Sequence, residues 1–250
     1  MTELTENAFL DGRLSIQQPK SGYRAGADPV FLAASVNALP GQRVLDLGCG
    51  VGTAMLCLLA RVPDASVTGV ERQHDLAQIA EGNLSRNGMP GAIVEADVRN
   101  LPRSLRDQTF DHVMTNPPFF DRNAGSEAMN AGRELGRGET LDLAVWLDLA
   151  LRMLAPGGYL TLINRIERLP ECLVALSGRA GDIVVLPLAP REERRAKLFL
   201  LSARKGAKGP FLLQPPFVVH TGAQHEHDGD SYTDRAQSIL RKGQALPLNS

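Results

Sequence analysis

At 250 residues and 43% hydrophobic content, the chain can bury one substantial core, so one main domain is expected. Its 27 Lys and Arg nearly cancel 28 Asp and Glu, which excludes a global basic field; a nucleic-acid or membrane partner must meet a local patch. No stretch approaches the roughly 20 apolar residues of a membrane span, and Cys49, Cys57 and Cys172 match neither a disulfide framework nor a zinc site, so a reducing, cytoplasmic setting is expected with the cysteines as small buried hydrophobes.

After a polar opening, Asp28-Pro29 places a capping residue before a proline at the first helical position, and Val30 to Ala34 supply an apolar face. One helix is therefore expected ahead of the sheet. Pro40-Gly41 ends it, Arg43 to Leu47 reads as a strand, and a glycine turn leads into a helix from Thr53 to Arg61. The pattern repeats: strand Ser66 to Val70, a helix from Asp75 to Asn87-Gly88, strand Ala92 to Glu95 and strand Phe110 to Met114. A long loop from Asp121 to Gly138 precedes a Leu-rich helix, Leu141 to Leu154, and strand Tyr159 to Ile163. A helix around Pro170 to Ser177 follows, then Ile183 to Leu188 and Lys197 to Ala203, expected as an antiparallel pair. Asp228 to Lys242 reads as a polar turn and one short helix.

This alternation predicts an α/β fold: a doubly wound, mostly parallel, seven-stranded Rossmann-like sheet with an antiparallel strand at one edge. The expected organisation is an N-terminal segment and helix over 1–39, the main domain over 40–205, and a C-terminal extension over 206–250 packed on it.

Gly48, Gly50 and Gly52 stand where a buried strand becomes a helix, so backbone can approach a flat or anionic ligand with no Cβ in the way. A dinucleotide fingerprint counted from Gly48 would need glycine where Thr53 stands. The spacing favours S-adenosylmethionine (SAM), whose carboxylate can use the helix N-terminus. Glu71 ends the second strand 23 positions after Gly48, where it can accept ribose hydroxyls, and Asp97 follows the third, near an adenine amino group. Asp46 is either a turn brace or a cofactor contact.

Asn116-Pro117-Pro118-Phe119 follows the fourth strand at the same sheet edge. Each proline pins its own φ and extends the residue before it, so the Asn116 side chain and Pro117 carbonyl become aimed acceptors. They match the two donors of a planar amino group, whose lone pair would then face the methyl donor without a strong base. Phe119 offers a stacking face. A hydroxyl or thiol acceptor would require a positioned base, whereas His74 and His112 are isolated and read as structural or solvated. His220, His225 and His227 have no metal-ligand spacing, so no metal is expected.

Taken together, Asp46 to Gly52, Glu71, Asp97 and Asn116 to Phe119 resemble a class I SAM-dependent methyltransferase of the amino-nitrogen group, over roughly residues 40 to 205. Gln18 to Asp28 and Ser231-Tyr232-Thr233 resemble bacterial valine-tRNA adenine-N(6) methyltransferases; many members have Tyr where this chain has Phe119. The resemblance implies SAM bound by Asp46, Gly48, Gly50, Gly52, Glu71, Asp97 and the Asn116 edge, base capture by Asn116 to Phe119, and tRNA as partner. Arg122, Arg133 and Arg137, or Arg191, Arg194, Arg195, Lys197, Arg204, Lys205 and Lys208, are candidate phosphate grips, although Glu192 and Glu193 dilute the second group. A protein glutamine methyltransferase is an alternative, but those enzymes carry a helical substrate domain ahead of the glycine turn, and only 43 residues precede Val44. A non-catalytic SAM- or RNA-binding module is the other.

Overall fold

The computed structural model describes residues 3–21, 24–117, 141–222 and 231–248. The chain opens not on loose polar segment but on an antiparallel hairpin, β1 (Leu4–Phe9) and β2 (Leu14–Pro19), which the sequence reading missed. Its turn uses left-handed backbone at Leu10, Asp11 and Gly12, and the alternation of buried Leu14 and Ile16 with Ser15 and Gln17 turns one face inward. Helix α1 (Asp28–Ser35) follows, with Pro29 in its first turn.

The main unit then alternates β3 (Arg43–Leu47), α2 (Thr53–Arg61), β4 (Ser66–Glu71), α3 (His74–Arg86) and β5 (Gly91–Glu95). A single helical turn, α4 (Arg103–Arg106), leads to β6 (Phe110–Thr115). Next come α5 (Leu143–Met153), β7 (Leu154–Arg165), α6 (Leu169–Leu176), β8 (Ala180–Ala189) and β9 (Leu198–Lys205). Two-residue strands β10 (Leu212–Leu213) and β11 (Phe217–Val218) and helix α7 (Asp234–Lys242) complete the described elements.

Strands run in the order β10-β8-β9-β7-β6-β3-β4-β5, with β11 also on β8. The seven expected strands are all present, and β10 and β11 extend them. The antiparallel strand, β9, lies at the expected end but one place inward, between β7 and β8. Strand β8 consequently runs parallel to the main set, and its carboxyl end shares their edge.

Apolar clusters cover both faces. One gathers α1, α2 and β2 with Phe217, Ala236, Ile239, Leu246 and Leu248 from the C-terminal residues, and the other packs α5 and α6 on the opposite face. Thr233 caps α7 by accepting from the Ala236 N–H, Gly243 ends it in left-handed backbone, and Leu246 N–H then donates to Ala34 at 2.7 Å. The chain visits β3, β4 and β5 on one side, then returns across β3 to β6. Strand order reverses there, and sheets of this kind take their ligands beyond the carboxyl ends of the strands at the reversal, here β3 and β6.

Candidate active site

The glycine turn sits at that reversal. Gly48, Gly50 and Gly52 all have positive φ, and both Gly48 and Cys49 N–H donate to Val70 at 2.9 Å. A Cβ on Gly48 would meet the Trp146 ring at 2.9 Å, so the Trp146 side chain of α5 packs directly on the Gly48 backbone. Trp146 also donates from Nε1 to Thr115 Oγ1 at 2.9 Å, and Thr115 donates to Leu47 O at 2.7 Å. This chain of contacts locks the ends of β3 and β6 together.

Register then decides where the acceptor motif stands. Asp46 pairs with Met114, so two residues further along the parallel strands Gly48 lies level with Asn116. Adjacent strands are about 4.8 Å apart, so half-buried Asn116 and buried Pro117 border the glycine turn. Pro118, Phe119 and the 121–138 loop with Arg122, Arg133 and Arg137 lie outside the described residues, as do His225 and His227.

Glu71, at the end of β4, is 8% exposed and accepts from Gly50 N–H at 3.0 Å and Gln73 N–H at 2.8 Å. Each oxygen thus has one backbone partner and a further lone pair for a ligand hydroxyl. Asp97 caps the turn after β5, accepting from the Arg99 N–H at 2.9 Å and guanidinium at 2.8 Å. The Arg99 side chain, followed by its backbone N–H and the charges of Arg99 and Arg72, holds the Asp97 carboxyl below its ordinary value against a partial desolvation.

Asp46 differs. Burial pushes its pKa up to about 7, helped by the Glu71 charge and opposed by a hydrogen bond from the Met55 backbone. Its Oδ2 has no hydrogen-bond partner among the described residues. The carboxyl is therefore braced on one side and open on the other.

Sequence reasoning missed four residues here. Thr53 Oγ1, at the first residue of α2, and Asn164 Nδ2, at the carboxyl end of β7, are buried without a partner among the described residues; Thr115 and Trp146 make the lock. Asn164 Oδ1 accepts from the Arg165 N–H at 2.7 Å, which fixes its amide donor as the open end. Buried polar groups normally find partners, and Asp46, Thr53 and Asn164 gather unsatisfied atoms at one edge. That pattern, with the glycine cradle, fits a polar ligand such as SAM. The only visible signal was Trp146, the single tryptophan of the chain.

The histidines stand elsewhere or are engaged. His112 is 4% exposed, stacks on Tyr159 and approaches Gln42 Oε1 at 3.1 Å; burial lowers its pKa to about 4. Exposed His74 meets Glu95 at 2.7 Å, and that hydrogen bond raises its pKa. All three cysteines are buried and free, and desolvation raises Cys57 and Cys172 to about 12. The predicted basic group divides. Arg191 is buried and donates to Thr221 O and Gly222 O, while Arg204, Lys205 and Lys208 lie where β9 ends, at the amino edge. They are too far from Asn116 to share one grip with Arg194, Arg195 and Lys197.

The methyltransferase small domain family matches residues 27–172, from α1 through the glycine turn and Asn116 into α6. This chain belongs to that family. A relative named tRNA1(Val) (adenine(37)-N6)-methyltransferase, from Porphyromonas gingivalis, is 34% identical over 190 residues, 70% of this chain and 74% of that one. Another of that name, from Tolumonas auensis, is 30% identical over 209 residues, 81% of this chain and 85% of that one. In fold, the methyltransferase small domain chain is similar to a solved structure described as a predicted O-methyltransferase from Agrobacterium tumefaciens, with TM-score 0.71 at 24% identity, covering 89% of this chain and 100% of that one. No helix among the described residues is long and apolar enough to cross a membrane.

Proposed function

We propose that this protein is a cytoplasmic enzyme that transfers a methyl group from SAM to the exocyclic N6 of an adenine in tRNA. The observation that carries the reading is the β3–β6 register, which sets Asn116-Pro117 beside the glycine turn. The names of the relatives supply the substrate class. In this reading Gly48 to Gly52, Thr53 and Asp46 hold the amino-acid part of SAM, Glu71 the ribose and Asp97 the adenine end. SAM supplies an electrophilic methyl on a sulfonium.

The protein's part is orientation. An aromatic amine is a poor nucleophile because its lone pair is delocalised. The Asn116 amide oxygen and the Pro117 carbonyl accept its two N–H groups and turn the lone pair toward the methyl, an arrangement that needs no general base to initiate attack. Phe119 is the stacking face in this reading. Burial of Asp46 and the Trp146–Thr115 lock keep the two half-sites rigid, so little reorganisation remains for the transition state.

Incubation with methyl-labelled SAM and total bacterial tRNA, followed by nucleoside digestion, should place label in N6-methyladenosine. Label absent from tRNA but present on a protein glutamine would overturn the acceptor; SAM binding without transfer to either would overturn the enzyme.

A further inference from the structure

The carboxyl edge bears cations that the methyl-transfer site does not use. The connection from β8 to β9 exposes Arg194, Arg195 and Lys197, and none of the three forms an ion pair among the described residues. Glu192 and Glu193 belong to the same connection without neutralising them by contact. The backbone is held: Ile166 N–H, just after β7, donates to Lys197 O at 2.9 Å, and Lys197 N–H donates to Leu188 O at 3.2 Å.

The floor beneath is also built. Buried Arg191 donates to Gly222 O at 3.0 Å and Ser231 Oγ at 3.2 Å, tying the C-terminal residues to this connection. His220 N–H donates to Pro190 O at 3.0 Å, and the His220 ring stacks on Tyr232 at 4.7 Å. A held platform presents its charges at a lower entropic cost than a free loop would. From β6 to β8 are three strand steps, roughly 14 Å, within reach of nucleotides flanking a base at Asn116. The amino edge lies about 20 Å away along a six-residue strand such as β6.

We propose that Arg194, Arg195 and Lys197 form a phosphate-binding platform for the tRNA backbone flanking the target base. This rests on the tRNA reading, so the test separates the two. Binding of total tRNA and its methylation are measured for the wild type, for R194A/R195A/K197A, and for R103A/R106A/K208A, which removes the same charge from the amino edge. The platform variant should raise the tRNA Kd and KM by about 10- to 100-fold and lower the slope of log affinity against log salt by about 2, the release expected for three single-strand phosphate contacts. SAM affinity, the melting temperature and kcat at saturating tRNA should hold, and the amino-edge variant should match the wild type.

Unchanged tRNA affinity and slope in the platform variant would overturn the proposal, as would an equal loss in the amino-edge variant. Wild-type protein that binds tRNA through the platform yet methylates no adenine would defeat the reaction assigned above and leave the surface standing. Wild-type protein that binds no tRNA would defeat both.

Discussion

Asp46 ties the pH behaviour of the protein to its ligand. Its pKa in the folded chain is about 7 against an ordinary 3.8, so between those values the native state holds a proton that the unfolded chain releases. The stability this group contributes is full below about pH 4 and is lost as pH rises through 7. Asp46→Asn should therefore flatten the fall in stability between pH 4 and 7, read by denaturant titration at several pH values. A cationic ligand favours the charged carboxylate, so SAM binding at pH 7 should expel about half a proton. Calorimetry in buffers of different ionisation enthalpy measures this; a binding heat independent of buffer would sink it. Asn116→Ala should lower kcat on the order of 10²–10³-fold, the range for loss of one oriented transition-state hydrogen bond, with SAM affinity nearly unchanged. A matching loss in SAM affinity would place Asn116 in the cofactor cradle instead.

Among the elements, the N-terminal hairpin depends on Asn83 of α3 and on Asn87, the residue that caps the C-terminus of that helix. Asn83 Oδ1 accepts from Gln17 N–H at 2.8 Å and Asn83 Nδ2 donates to Gln17 O at 3.0 Å; Asn87 repeats the pair on Ser15 at 2.9 and 2.8 Å. Each amide imitates a neighbouring strand, satisfying a β2 edge that has no sheet partner on that side. Asn83 is 1% exposed and also donates to Val51 O at 3.0 Å, so it joins hairpin, helix and glycine turn. Asn83→Ala should cost about 2–4 kcal/mol, because the half-buried Gln17 N–H and O and the buried Val51 O all lose their partner. Hydrogen exchange gives the local readout: the Gln17 amide should lose protection first while the β3 and β6 amides keep theirs. Uniform loss across the sheet would show that the hairpin is no separate docking unit.

At the scale of the whole molecule, the C-terminal residues complete a face of the core. Phe217, Ala236, Ile239, Leu246 and Leu248 are all buried within the cluster that includes α1. Burial of each large apolar side chain contributes about 1.5–3 kcal/mol, and their sum rivals the total stability of about 5–15 kcal/mol of an ordinary domain. A chain ending at Lys205 should therefore lose cooperative melting or become insoluble. A sharp melting transition within a few degrees of the full-length value would refute this. The same scale explains why the basic residues separate: β8 and β9 are antiparallel, so Lys197 and Lys205 bracket one strand at opposite edges of the sheet.

By itself the sequence determined the strand–helix alternation, the glycine turn and the place of Asn116 after the fourth strand, because these follow from local periodicity, positive-φ demands and proline chemistry. Those rules act over a few residues and survive without knowledge of neighbours. The hairpin escaped because its polar first strand is half exposed and its stability comes from Asn83 and Asn87, more than sixty residues away. The position of β9 inside the sheet, the Trp146–Thr115–Leu47 lock and the open polar ends of Asp46, Thr53 and Asn164 also belong to tertiary structure. Whether a polar atom is buried, and whether anything answers it, is a property of what the rest of the chain brings alongside.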